Sequence, residues 1–334
     1  MNFNYQKICE ELIEGLSERT KDILARRFGF NDYKKETLES IGESYNITRE
    51  RVRQIEENAI KKIEKKVKTI SQKPFEYFKQ ELEFFGGLKK QDLFLEKIGQ
   101  KKDRPYILFL LIIEKSLKRY LETEKFYSVW AVNANFFNKA KKIIALLEKE
   151  LEKRNEPTIL EDFSVFKKFG LDSVIARSYI EITKNILKTE EDLYGFAFWP
   201  EINPKGIKDR AFIALKREDK PMHFTDIADF IRQQIQNKKP SLVKTVHNEL
   251  IKNPRFVLVG RGLYALQEWG YQSGYVKDVI FSVLQKSDKP LSKEQIIQQV
   301  SKQRFVKNST ILLNLNDENR FLKNNNEKYT IREA

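Results

Sequence analysis

The chain is short of the residues that usually announce catalysis or cross-linking. Its 334 residues include one cysteine, Cys9, and two histidines, His223 and His247. A single thiol excludes an intrachain disulfide, and two distant histidines without cysteine partners make no zinc site. Cys9 falls at helical spacing with Ile8, Leu12 and Ile13, where a small buried thiol fits. Gly and Pro are scarce, at 13 and 9, while Phe and Tyr are plentiful, which argues against disorder. The longest apolar run, Tyr106 to Ile113, falls far short of the roughly 20 residues that cross a bilayer. The stretch MNFNYQKICEELIEG carries acids within its apolar pattern and no basic leader region, so no secretory signal is expected. The expected location is cytoplasmic, with no membrane association. No phosphate-binding glycine loop, dinucleotide fingerprint, nucleophile elbow or PD…(D/E)xK pattern stands out. The chain is therefore expected not to be an enzyme and to need no cofactor, metal or small-molecule substrate.

What is abundant is charge, mostly positive. The formal net charge is +14 and 33% of residues are charged. Such an excess favours polyanions, because each Lys or Arg at a phosphate releases condensed counterions. The excess is uneven. Residues 205–270 hold 13 Lys/Arg against 7 Asp/Glu, and 271–334 hold 11 against 7. Residues 72–202 are nearly balanced, 23 against 21, which suits a scaffold or protein contact.

Residues 5–71 read as helices, with Ile8, Leu12, Leu16, Ile23, Leu24 and Phe28 at three- and four-residue spacing. One long helix is expected from Thr48 to about Ser71, closed by Pro74. From residue 72 a repeat sets in. The segments GLKKQDL (87–93), PTILEDF (157–163), PMHFTDI (221–227) and PLSKEQI (290–296) start 70, 64 and 69 residues apart. Aromatic, alternating segments recur in step: FYSVWAV (126–132), LYGFAFW (193–199), GLYALQEW (262–269) and KYTIRE (328–333). Each period reads as a helix, a short Pro- or Gly-led strand, two helices and a closing hairpin, the pattern of a winged helix-turn-helix. In the third, Gly260 and Gly262 are expected to supply the positive φ of a tight hairpin. The expected fold is mainly α: an N-terminal helix-turn-helix followed by tandem winged-helix repeats with small β-hairpins. The expected domains are 1–71, 72–134, 135–203, 204–271 and 272–334.

The sharpest signal is TLESIGESYNITRERVRQIE, residues 37–56. Thr37 is a good N-cap, and Leu38, Ile41 and Tyr45 form an apolar face. Gly42 sits where two helices approach closely, and Asn46 tolerates the left-handed turn that follows. Thr48 caps a second helix whose Val52 and Ile55 return to the core. That spacing defines a helix-turn-helix. Its exposed face is then Arg49, Glu50, Arg51, Arg53 and Gln54, suited to guanine, cytosine and adenine edges in the major groove of double-stranded DNA. Lys61, Lys62, Lys65 and Lys66 read mostly as a solvated face.

Together LSERTKDILARRFGF (16–30), TLESIGESYNI (37–47) and TRERVRQIE (48–56) resemble region 4 of sigma-70-type bacterial sigma factors over about residues 12–68. The resemblance implies promoter −35 recognition and docking on the β flap of RNA polymerase. It implies base reading by Arg49, Glu50, Arg51, Arg53 and Gln54. Thr37 and Leu38, with the cap Thr48, would then lie against the phosphate backbone. Nothing after residue 72 resembles sigma region 2, so complete initiation by that mechanism is not expected. Residues 207–271, with KPMHFTDIADFI and RFVLVGRGLYALQEWG, resemble a HARE-type winged helix, the family of the RNA polymerase delta subunit N-terminal domain, without its acidic tail. Residues 275–334 resemble a divergent second copy. Within 207–271, Lys244, Thr245, His247, Asn248 and Arg261 form a possible second DNA contact, with protein docking an equal alternative.

The leading expectation is a sequence-specific DNA-binding transcription protein associated with RNA polymerase. The alternatives are a delta-like polymerase-associated interaction protein and a DNA-sensing component of a restriction or modification system.

Overall fold

The computed structural model describes residues 3–332 apart from 68, 69, 71, 236–241, 288 and 325. The chain forms two compact units, Met1–Phe198 and Trp199–Ala334. No helix among the described residues is long and apolar enough to cross a membrane.

The first unit opens with α1 (Tyr5–Ile13), α2 (Glu18–Phe28), α3 (Leu38–Ser44) and α4 (Arg49–Val67). Their ends are chemically marked. The side chains of Asn4, Ser17 and Thr37 cap α1, α2 and α3 by accepting from backbone N–H groups. Gly29 ends α2 with a left-handed φ of 82°. The long helix expected to about Ser71 is described to Val67, and its expected end lies outside the described residues. Pro74 does not close it. Pro74 sits in the first turn of the next helix, where a missing N–H costs nothing.

The first repeat follows as α5 (Lys73–Phe84), β1 (Leu88–Lys90), α6 (Gln91–Ile98), α7 (Arg104–Ile113), β2 (Lys118–Tyr120) and β3 (Val129–Ala131). The second runs α8 (Ala134–Arg154), β4 (Thr158–Ile159), α9 (Ser164–Lys168), α10 (Ser173–Glu181), β5 (Ile186–Lys188) and β6 (Leu193–Phe196). In the second unit come α11 (Ile207–Glu218), β7 (Met222–His223), α12 (Phe224–Ile235), α13 (Leu242–Lys252), β8 (Phe256–Gly260) and β9 (Leu263–Leu266). The last repeat is α14 (Val276–Gln285), α15 (Lys293–Ser301), α16 (Asn308–Leu315), β10 (Phe321–Lys323) and β11 (Tyr329–Ile331). The fold is mainly helical, with small antiparallel sheets of winged-helix type.

The two repeating signals are partners in those sheets. Strand orders are β1-β3-β2, β4-β6-β5 and β7-β9-β8, so the aromatic strand is always central. It pairs antiparallel with the Pro- or Gly-led strand through Leu88↔Ala131, Thr158↔Tyr194 and Met222↔Tyr264. In the last repeat a single bridge, Leu291↔Tyr329, does the same beside the β10-β11 hairpin. A central strand is covered on both sides, which is why it is aromatic and apolar.

One core joins α1, α2 and α4 to the first repeat. It includes Cys9, Leu12, Leu24, Phe28, Ile63 and Val67 together with Phe78, Phe94, Phe109 and Trp130. At its centre lies α7, apolar on nearly every face and almost wholly buried. A helix hydrophobic all round can only be stable inside a core, and this one packs on α1, α2 and α4. Phe109 meets both Phe28 and Phe30 edge-on at 5.0 and 5.3 Å. The third and fourth repeats each have a core of their own, around Phe212, Ile227 and Val246, and around Ile280, Ile296 and Ile311.

The hairpin glycines of the third repeat divide the work. Gly262 takes the positive φ, 73°. Gly260 does not, contrary to expectation. It lies against the Phe305 backbone, whose carbonyl oxygen would stand 2.7 Å from an added Cβ. Bare backbone is needed there for close approach rather than for left-handed geometry.

Candidate nucleic-acid interface

Between α3 and α4 the chain turns on three small devices. A Cβ on Gly42 would lie 2.7 Å from the Ile47 carbonyl oxygen and 3.4 Å from the Arg49 nitrogen. The clash is therefore with the turn and the start of the next helix, not with the second helix's side chains. Asn46 adopts φ 53°, the left-handed region its short polar side chain tolerates. Thr48 Oγ1 then accepts from the Arg51 N–H at 3.2 Å, capping α4. Ile23, Ile41 and Val52 form the small core beneath, all fully buried, with Leu38, Tyr45, Ile47 and Ile55 packed around them.

That packing leaves Arg49, Glu50, Arg51, Arg53 and Gln54 exposed along the first two turns of α4. Arg51 donates to Gln54 at 3.2 Å, and Arg53 donates to both Glu50 carboxylate oxygens at 2.9 and 2.6 Å. Arg53 also pairs with Glu57. The Arg53 guanidinium pulls the Glu50 carboxyl below its usual range, chiefly by hydrogen bonding. Exposed pairs one helical turn apart are weak and are readily exchanged for a phosphate or a base edge. Thr37 and Thr48 are exposed at the two helix starts. Leu38 is half-buried in the small core, so its side chain is committed to packing rather than to DNA. Asn58, exposed one turn beyond Gln54, extends the face and was not foreseen.

A polar brace holds α3 against α2, and sequence reasoning did not find it. Arg26 grips Glu36 with two hydrogen bonds of 2.7 Å and donates to Ser44 at 2.8 Å. Ser40 donates to the same carboxylate at 2.8 Å. These bonds hold the Glu36 carboxyl at about 2, led by the Arg26 hydrogen bond. The Tyr45 hydroxyl donates to Asp22 at 2.7 Å, and its ring lies 4.9 Å from the Arg19 guanidinium. Asp22 raises the Tyr45 hydroxyl, first by that hydrogen bond. Arg27 meets Glu56 at 3.4 Å, tying α2 to α4. Glu56 is raised, mainly by burial. The signal lay in the pair Arg26–Arg27, but the partners follow 10 to 29 residues later and no local spacing connects them.

In the third repeat, Lys244, Thr245 and Asn248 are exposed on α13, and Arg261 is exposed at the hairpin tip. His247 is not brought together with them. Its ring stacks on Phe224 at 4.4 Å and meets Tyr264 at 6.0 Å, so it serves the module's own packing. Among the described residues no cluster of His, Cys, Asp and Glu has the makings of a metal site. Cys9 is buried, and burial pushes its thiol up, away from the reactive thiolate.

Comparison with known proteins bears on one segment. Residues 12–65 match the family "Sigma-70, region 4". RNA polymerase sigma factor SigA of Nostoc sp. (strain PCC 7120 / SAG 25.82 / UTEX 2576) is 46% identical over 54 residues, 16% of this chain and 14% of that protein. SigA of Lactococcus lactis subsp. cremoris is 44% identical over 54 residues, 16% of this chain and 15% of its own length. RpoD of Helicobacter pylori (strain ATCC 700392 / 26695) is 51% identical over 55 residues, 16% of this chain and 8% of its length. The chain thus spans only about a seventh or less of the curated relatives it matches. The segment from Leu12 to Lys65, which builds the helix-turn-helix, is sigma-70 region 4-like and related to bacterial sigma factors.

Proposed function

We propose that this chain is a sequence-specific, double-stranded-DNA-binding transcription protein that reads promoter-type duplexes with the start of α4. The observation that carries this is the exposed set Arg49, Glu50, Arg51, Arg53 and Gln54 on a helix capped by Thr48 and braced by Gly42 and Asn46. A helix entering the major groove by its N-terminus brings these residues to base edges first. A −35-type element is the proposed target. Thr37 and Thr48, with the backbone N–H of Leu38, are proposed to meet flanking phosphates.

RNA polymerase is the proposed partner, on the strength of the region 4 likeness. The apolar face shared by α1, α2 and α4 is filled by α7, so a polymerase contact would use surface outside that core. The four winged-helix repeats, bounded near 71/72, 134/135, 203/204 and 271/272, are proposed as the platform for that assembly. The near balance of charge over residues 72–202 supports protein contact there, and the basic excess of 205–270 supports auxiliary contact with DNA. The HARE-type reading of 207–271 and 275–334 belongs to the same proposal and rests on sequence pattern. So do a non-catalytic role and a cytoplasmic location.

Fluorescence anisotropy with a −35-type duplex and its scrambled counterpart, at matched salt, tests the reading. A preference of roughly tenfold or more for the ordered sequence, lost in Arg49→Ala, is expected. Equal affinities in both cases would refute it. Co-elution with core polymerase tests the partner separately.

A further inference from the structure

The third and fourth repeats have separate cores, yet the fourth reaches into the hairpin of the third. The reach comes from the turn between α15 and α16. Arg304, in that turn, is 5% exposed. Its guanidinium donates to the backbone carbonyls of Leu258, of Gln272 at 3.0 Å and of Gly274. Leu258 belongs to β8, and Gln272 and Gly274 to the segment that joins the two repeats. Asp278, the acid whose charge acts on Arg304, is itself paired with Arg320 at 3.2 Å. A buried cation held by carbonyls is costly to place. Arg304 spends all three of these bonds outside its own core, which marks it as a tie between repeats.

The next residue continues the tie. The Phe305 N–H donates to the Val259 carbonyl at 2.8 Å, and Phe305 bridges Gly260 in parallel. The place where this happens is informative. β8 is an edge strand, and its ladder with β9 shifts register between Leu258 and Gly260. Such a shift leaves strand groups without their regular partners. Arg304 and Phe305 take the carbonyls of Leu258 and Val259, the residues at that break. Arg261, the exposed residue of the hairpin tip, follows Gly260 directly. The first unit has a parallel. There Tyr127, in the hairpin of the first repeat, donates its N–H to Ile182 of the second at 2.9 Å, and Lys184 returns one to Lys125 at 2.9 Å.

We propose that the fourth repeat is a splint for the wing of the third. Arg304 is a positioning residue that, with Phe305, fixes the end of β8 and thereby the place of Arg261 against a DNA phosphate. The role in DNA binding rests on the auxiliary contact proposed above for the third repeat; the splint itself does not. Arg304 is too deeply buried to touch DNA, so it can act only through the hairpin.

Hydrogen exchange of the full chain, paired with duplex anisotropy over a salt series, tests this. Two variants break the joint differently. Arg304→Met keeps the bulk of the stem and removes the three bonds. Gly260→Ala alters no charge, meets no left-handed backbone and pushes against the Phe305 carbonyl. If Arg304→Met loses its circular dichroism, Gly260→Ala carries the test alone. Amides of residues 256–266 should exchange about tenfold faster in either variant, while those of α11 and α13 stay as in the parent. Duplex affinity should fall to that of Arg261→Ala, with the salt slope reduced by about 1. Gly260→Ala/Arg261→Ala should bind no more weakly than Arg261→Ala. Unchanged exchange over 256–266 would overturn the proposal. So would equal acceleration across α11 and α13, which is general loosening, or additive losses of affinity in the double variant. Faster hairpin exchange with Arg261→Ala binding duplex like the parent would uphold the splint and refute the auxiliary contact instead.

Discussion

The two helices offered as DNA contacts, α4 and α13, are held in different ways. The start of α4 is over-determined. Thr48 caps it, Gly42 lets the turn close on it, and Ile23, Ile41 and Val52 fix its rotation. Its polar face is then a by-product of a rigid core, and side chains on rigid elements can be aimed. On α13, Val246 and Leu250 fix the buried side, but His247 is spent on stacking with Phe224 and Tyr264. What remains is Lys244, Thr245 and Asn248 with Arg261 on the hairpin. The contrast teaches that a polar face is aimed by the packing beneath it, which for α4 is a closed turn and three fully buried side chains.

The strongest way to break the comparison is Gly42→Val. Its branched side chain meets the Ile47 carbonyl, so the turn must open, at a cost of about 1–3 kcal/mol. Denaturant unfolding should show that loss in the first unit, and specific DNA binding should vanish. Gly262→Ala, strained by its φ of 73°, should destabilise the third module instead and leave DNA preference intact. Next in size, Arg49→Ala and Arg51→Ala should each remove about 1–3 kcal/mol of discrimination between preferred and altered base pairs, read by competition binding. Lys244→Ala and Arg261→Ala should lower affinity evenly across sequences and reduce the salt slope by about 1 each, with no change in preference.

The smallest effect concerns acid stability. The folded Glu36 carboxyl sits at about 2 against its ordinary 4.5. A group depressed on folding binds fewer protons folded than unfolded, so its contribution is complete above about 4.5 and fades as pH falls towards about 2. Glu36→Gln should flatten the acid limb of the stability profile in that window and leave neutral-pH DNA preference unchanged.

Much of the fold was legible because its signals are local or periodic. Thr37, Gly42, Asn46, Thr48 and Val52 each act within ten residues, and each took the place its chemistry suggested. The winged-helix period was legible because strand partners such as Leu88 and Ala131 recur in the same order in every repeat. Illegible features depended on distance. The brace from Arg26 to Glu36 and Ser44 and the filling of the inner face by α7 join residues that no spacing rule links. The apolar run in α7 was informative only in excluding a membrane span. His247 shows the same limit, because a polar residue on a candidate recognition helix looks the same whether it faces solvent or a neighbouring ring.

The most direct test is selection of bound duplexes from a random pool, run in parallel with the parent chain, Arg49→Ala/Arg51→Ala and Lys244→Ala/Arg261→Ala at one salt concentration. The parent and the α13–hairpin variant should enrich the same short consensus, and the α4 variant should lose it or change it. Enrichment of one consensus by all three, or of none by the parent, would contradict sequence reading by the start of α4.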